Sequence, residues 1–283
     1  MLKLETLQHT RSFKYRGALN AVLSLAESGA PLPPLVTASA GNHGLALATA
    51  ASAAGTQLKV FAPRSAPRAK LVRMALPGVQ VDTHALDYDA AEAAALDAAA
   101  HGDAHYISPY NDATVVAGAG TTALEILEDL AAPGAIVVPT GGGGLLAGIA
   151  LAAGHRTAVV GVEPAVNAAF SSSLRAGVIA RITPGHSVAD ALVGNLEPGA
   201  ITFDIVRRHA AGVRVADERH ITAGVDCLLR QERVVAEGAA AIGVGALLAG
   251  TLDDLPDPIV IVVSGANIDT TTFLAALAVK VSG

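Results

Sequence analysis

Cysteine is nearly missing from this 283-residue chain. Its one thiol, Cys227, excludes an intrachain disulfide and argues against a cysteine-ligated zinc site. A reducing, cytoplasmic compartment is expected. Basic charge is also short. Nineteen lysines and arginines against 25 acidic residues leave a formal charge of -6, with no general field for nucleic acid. Long apolar runs are absent: the most apolar stretches, 145–153 and 238–250, fall below the ~20 residues a membrane helix needs. No membrane partner is expected. The opening MLKLETLQHTRSFKYRG has no apolar core of a secretory signal. Lysine stands only at positions 3, 14, 59, 70 and 280, so chemistry that needs an amine has few candidates. Repeats and low-complexity linkers are lacking as well.

With 52% hydrophobic and 16% charged residues, the chain has ample means to bury a core, and its length suits one or two domains. Short apolar runs at 35–37, 58–62, 79–82, 105–107, 136–139, 158–162, 213–215 and 259–263 read as strands. Several lack polar alternation, as expected where helices cover both faces of a sheet. Helical patterns fall between them at 15–27, 43–54, 66–76, 90–100, 121–130, 144–153, 218–231, 238–249 and 270–280. This alternation predicts an α/β protein with mainly parallel sheets. Residues 177–212 give no regular pattern. Thr10 and Ser12 are candidate caps for the first helix, with Gly29 its stop.

Ligands of open parallel sheets sit where strands lead into helices, and four such loops here carry chemistry. Gly141, Gly142, Gly143 and Gly144 lie between a strand and a helix, with Leu145 next, so consecutive bare N–H groups form a phosphate cradle. The run is not a Walker loop, since no Gly-Lys-Ser/Thr follows. It is not the dinucleotide fingerprint either: Gly141 and Gly143 fit, but Leu146 takes the third glycine position. Lys14 lies between Phe13 and Tyr15, with Arg16 close. Apolar and cationic neighbours both lower an amine's pKa and suit bonding to a carbonyl cofactor. Ser39, Ala40, Gly41, Asn42 and His43 end one strand and open a helix, offering a hydroxyl, an amide and free N–H groups to a carboxylate. Ser264 follows the most apolar strand. A simple helix cap is the competing reading for both serine loops.

The phrase LETLQHTRSFKYRGA resembles the cofactor-lysine signature of the fold type II pyridoxal-phosphate enzymes, the serine/threonine dehydratase (threonine ammonia-lyase) family. TASAGNHG, GGGGLLAG, GVEP, VADALVG, EGAAAIGVGALLAG and VVSGAN follow in the family's order and span almost the whole chain. The last two blocks, with Asp269, are most similar to a dehydratase branch linked to hydroxyectoine breakdown.

The resemblance implies a tryptophan synthase β-like fold of two domains. Residues 1–33 and 113–283 would form the large cofactor-binding domain and 34–112 the small one. It implies pyridoxal 5'-phosphate as cofactor and dehydrative deamination of threonine or serine to a 2-oxo acid and ammonia. The partners are then a small amino-acid substrate and a second copy in a homodimer. Lys14 would carry the cofactor and serve catalysis, with Phe13 near the ring and Asn42 on the 3′ oxygen. Gly141 to Gly144 and the Leu145 backbone would hold the phosphate, and Ser264 would face the pyridine nitrogen. A hydroxyl there leaves the ring largely neutral, which suits elimination over transamination. Ser39 to His43 would receive the substrate carboxylate.

The alternatives are racemisation or β-replacement on the same scaffold, or a cofactor-binding protein with little activity. The last is suggested by a chain that starts almost at the lysine signature. The end, one helix past Ser264, predicts no regulatory module. Racemases of the family carry a serine where this chain has Ala40, and Arg11 stands where the family prefers glycine. The family's metal site pairs the GVEP glutamate with an aspartate six residues on. Here Glu163 is followed by Asn167 and Ala169, so the second carboxylate is missing and no metal is expected. A single exposed glutamate holds magnesium poorly, because that ion demands near-octahedral oxygen ligands. Exhaustive chelation should leave activity unchanged. A loss that magnesium or calcium restores would show that other ligands have replaced the aspartate.

Overall fold

The computed structural model describes residues 1–27, 29–102 and 104–278; Lys280 and the end of the last expected helix lie outside them. The chain divides into two compact units, Gln8–Gly118 and a second made of Met1–Leu7 with Ala119–Gly283.

The chain opens with β1 (Leu2–Leu4), which belongs to the second unit. In the first unit the order is α1 (Lys14–Ala26), β2 (Leu35–Ala38), α2 (Asn42–Ala54), β3 (Leu58–Pro63), α3 (Arg68–Val72), β4 (Val79–Ala85), α4 (Tyr88–Ala100) and β5 (His105–Tyr106). Its four strands form a parallel sheet in the order β4-β3-β2-β5. Alanine dominates α2, so its backbone can approach its neighbours closely. Ala46, Leu47, Ala50 and Ala51 are buried with Ala18, Ala21 and Val22 of α1 and Leu35, Leu58 and Val60 of the sheet. That shared core places α1 with the four-stranded sheet, whereas the sequence reading sets residues 1–33 with the larger part.

The second unit carries a five-stranded parallel sheet ordered β1-β9-β6-β7-β8, with β6 Ala135–Pro139, β7 Ala158–Pro164, β8 Gly212–Ala216 and β9 Ile259–Val263. Its helices are α6 (Gly144–Ala153), α7 (Ala169–Ala176), α8 (Ile201–His209), α9 (Glu218–Arg230), α10 (Gly238–Leu248) and α11 (Thr270–Ala278). The boundary between units falls inside α5, Ala113–Asp129. β6 is buried throughout, as its unbroken apolar run requires. Among the described residues no helix is long and apolar enough to cross a membrane.

Several elements depart from the sequence reading, which does not include β1, α7 or α8. α5 starts at Ala113 rather than 121, because Asp112 Oδ1 accepts the N–H groups of Thr114 (2.7 Å) and Val115 (3.1 Å) and caps a first turn of β-branched residues. α3 is shorter than 66–76. Much of 177–200 is irregular and pinned by side chains: Asn195 accepts from Ile182 N and donates to Ile182 O, while Ser173 Oγ accepts from Ala180 N.

Helices α9 and α10 pack through bare glycines. A methyl on Gly245 would lie 2.2 Å from His220 O, and one on Gly224 would lie 2.4 Å from Ala241 O. Both obstacles are backbone, so relief requires the helices to part. Gly245→Ala should destabilise the protein by about 2 kcal/mol or more, measured by urea unfolding, whereas a cost below the error of the method would show that the pair yields freely.

Candidate functional site

The register of each sheet lines up the loaded loops. In the first unit β2 and β5 pair Val36 with Tyr106, so Thr37 stands level with Ile107, and Thr37 Oγ1 donates to Ile107 O at 2.8 Å. Beyond that row the chain runs into Ser39–His43 on one strand and Ser108–Pro109 on the other. Lys14, the first residue of α1, meets this edge: its Nζ donates to Pro109 O at 2.6 Å and lies 5.1 Å from the centroid of the Phe13 ring.

Lys14 differs from Lys3 and Lys59 in its company. Lys3 pairs with Glu125 and Lys59 with Asp82 at 3.2 Å, both carboxylates. Lys14 bonds a neutral carbonyl, and burial lowers its pKa from 10.5 to about 8. Burial is the cause, in line with the apolar half of the sequence reading; the Arg16 charge, its other half, is not among the causes. His43 is 3% exposed, and its Nε2 lies 3.2 Å from Ile107 O. A carbonyl only accepts, so Nε2 carries the proton and Nδ1 is a bare acceptor; it has no hydrogen-bond partner. Burial, then the Lys14 charge, hold the His43 pKa down at about 3 against the Ile107 bond. The ring is therefore neutral, and Nδ1 suits a donor rather than a carboxylate.

Ser39 serves as a helix cap, the competing reading of its loop. Its Oγ accepts from Gly41 N (3.1 Å) and Gly44 N (3.0 Å) at the start of α2. Ala40 and Asn42 are half-buried beside it. Arg11 holds φ +58°, a left-handed conformation that costs a side-chain-bearing residue energy, at the entry to the lysine turn. Ser12 Oγ accepts from Lys14 N at 3.3 Å, whereas the N-cap position of α1 is Phe13 and no side chain caps from it.

The second unit has a matching edge. β6 pairs Ala135 with Ile259 of β9 and Pro139 with Val162 of β7. Carried on, the register sets Thr140, Glu163 and Ser264 in one row at the carboxyl ends of adjacent strands. Ser264 is 4% exposed. From Thr140 the chain enters the glycine run. Gly143 is the N-cap of α6 at φ +83°, and no side chain caps the helix. The first N–H groups, those of Gly144 and Leu145 among them, have no acceptor within the helix. A methyl on Gly143 would meet the Phe170 ring at 2.4 Å, and one on Gly141 would meet Leu192 Cα at 3.1 Å. Bare N–H groups at a helix start, beside a Gly143 that leaves no room for a side chain, suit a phosphate.

Glu163 is buried at 1% exposure, not exposed as the sequence suggests. Its Oε2 accepts from Phe170 N and its Oε1 from Ser171 N, both at 2.8 Å. Burial raises its pKa; the Ser171 and Phe170 bonds and the Arg175 charge pull it down. Sequence reasoning misses the Ile107 and Pro109 carbonyls, Phe170 and Thr202. No side-chain pattern announces a backbone carbonyl, and Phe170 and Thr202 stand on α7 and α8, which the periodicity does not reveal.

The chain as a whole has known relatives. The profile of the family described as pyridoxal-phosphate dependent enzyme matches residues 1–265. An L-threonine ammonia-lyase of Thermotoga maritima is 38% identical over 271 residues, covering 95% of this chain and 67% of its own length. The crystal structure of the T.th. threonine deaminase superposes with a TM-score of 0.86 at 34% identity, over 95% of this chain and 87% of that one. A serine racemase structure from Dictyostelium discoideum gives 0.86 at 32% identity, over 95% and 87%.

The Lys14 setting has a consequence for stability. A lysine whose folded pKa is lowered leaves the folded state with fewer protons than the unfolded one between pH 8 and 10.5. Stability then rises with pH across that window. In the cofactor-free protein Lys14→Met should stabilise at pH 7, by at most about 3 kcal/mol. Denaturant titrations at several pH values should show the gain shrinking above pH 8 and gone by about 10.5. A pH-independent gain would place the lysine's effect elsewhere.

Proposed function

Since this chain belongs to the pyridoxal-phosphate dependent enzymes, we propose that it is a lyase that dehydrates and deaminates a 3-hydroxy amino acid, threonine or serine, to a 2-oxo acid and ammonia. The observation that carries this reading is Lys14: a buried amine of lowered pKa, held by the Pro109 carbonyl instead of a carboxylate. The printed activities of the threonine ammonia-lyase and threonine deaminase relatives supply the substrate class.

The residues divide the work. Lys14 would hold the cofactor and would take the Cα proton; a pKa of about 8 leaves a useful share of neutral amine at physiological pH. By the family resemblance, Phe13 would flank the cofactor ring, Asn42 would hold its 3′ oxygen and Ser264 would face its nitrogen. Gly141 to Gly144 and the Leu145 N–H would hold the phosphate. Bound pyridoxal phosphate supplies the electron sink for the charge that proton removal leaves at Cα. The N–H groups at the start of α2 receive the substrate carboxylate; Ser39 Oγ orients that turn from within. The neutral His43 ring keeps a second positive charge away from the lysine. A homodimer in the cytoplasm completes the reading, supported by the family resemblance and by the single cysteine.

Racemisation is the second reading, favoured by the serine racemase likeness. It requires an acid/base opposite Lys14, and Ala40 offers a methyl group there. Ser39 is adjacent, but neighbouring residues of an extended segment point opposite ways, and its oxygen is engaged at α2. Missing acid/base help costs about 10²–10⁴-fold in its step, so elimination should dominate. With L-threonine and L-serine, oxo-acid release should far outrun Cα epimerisation, and Ala40→Ser should raise epimerisation. Lys14→Ala should abolish both, along with the visible band of the bound cofactor. Epimerisation as fast as oxo-acid release would overturn the assignment, as would a borohydride-fixable band in Lys14→Ala.

A further inference from the structure

Glu163 is a buried acid that the reaction above does not use, and it stands in the row of strand ends from which the glycine run departs. Its two oxygens are committed to the N–H groups of Phe170 and Ser171, at the start of α7. The helix's own N-cap, Ala168, provides no side-chain cap, so an acid reaching across from the end of β7 does the capping. This fixes the first turn of α7, and Phe170 stands in that turn.

Phe170 is fully buried, and its ring occupies the space a side chain on Gly143 would take, with Cε2 2.4 Å and Cζ 3.0 Å from an ideal Cβ. Gly143 holds φ +83°, where the backbone turns from the loop into α6. Thr202 Cβ stands 3.3 Å from the same ideal Cβ, and Thr202 Oγ1 donates to Gly142 O at 2.7 Å. The glycines are intrinsically the least constrained residues of the chain, and these contacts remove their freedom.

We propose that Glu163 is a positioning residue for the phosphate cradle: by capping α7 it seats the Phe170 ring against Gly143 and so aims the N–H groups that open α6. This rests on the reading of the glycine run as the seat of the cofactor phosphate. Glu163 touches neither cofactor nor substrate; it acts through Phe170. A carboxylate suits the task because it only accepts, and both its partners only donate. An amide would set an N–H₂ against one of them and leave a buried donor unsatisfied.

The test compares pyridoxal phosphate with pyridoxal, which lacks the phosphate, by titrating each into the full cofactor-free chain and following the visible band at Lys14. Wild type should prefer the phosphorylated form strongly. Glu163→Gln should lower affinity for pyridoxal phosphate by about tenfold and leave that for pyridoxal unchanged. A merely structural role would weaken both together. Phe170→Leu keeps the cap and removes the ring, so it should reproduce the loss and carries the test if Glu163→Gln does not fold. A wild-type protein indifferent to the phosphate would overturn the reading of the cradle itself. A strong wild-type preference that survives in either folded variant would leave the cradle standing and overturn the role of Glu163.

Discussion

Parallel pairing delivers every strand of a sheet to the same edge, and each chemically loaded loop of this protein leaves from such an edge. In the first unit β2 and β5 bring Ser39–His43 and Ile107–Pro109 side by side, and Lys14 closes on the carbonyl of Pro109. In the second, β9, β6 and β7 set Ser264, Thr140 and Glu163 in one row. Antiparallel pairing would have sent alternate loops to opposite edges. The register, rather than any one side chain, makes these residues neighbours.

Much of what surrounds the reactive groups is backbone. Pro109 O holds the lysine, Ile107 O sets the tautomer of His43, and no side chain caps the amide groups at the start of α6. Backbone dipoles are pre-aimed by the fold and do not titrate, so the charge state near Lys14 is set by burial. That explains how an amine and an imidazole coexist there, the one near pKa 8 and the other near 3. A formal counter-ion beside Lys14 would have held its proton. Arg11 holds φ +58° in the turn that leads into α1, where Ser12 Oγ accepts from Lys14 N.

Legibility in the sequence follows the physics of each segment. Strands such as β6 and β9 are plain, since continuous apolar runs between glycine-rich turns have few other uses. The lysine turn, the Asn-His loop and the glycine run stand out because each breaks a rule that ordinary loops obey. The opening of α5 is hidden, as its helix depends on the Asp112 cap and runs through β-branched residues and glycines that disfavour helix alone. Residues 177–200 are opaque because they are ordered by distant amides and hydroxyls, Asn195 upon Ile182 and Asn167 upon Leu192 and Gly194, with no period for a pattern to reveal.

The sequence alone determined the α/β alternation, the order of the motifs, and that Lys14 among five lysines has apolar flanks. Those are properties of neighbours along the chain. The tertiary structure decided what the lone glutamate of GVEP does. Glu163 turns both oxygens on the N–H groups of Phe170 and Ser171. It likewise decided that Ser39 is engaged at α2, that Phe170 walls the glycine run, and that α1 belongs with the four-stranded sheet. Each of these depends on where a donor meets an acceptor, or a ring meets a backbone, across strands or helices. Spacing along the chain carries no record of that until the strands have paired.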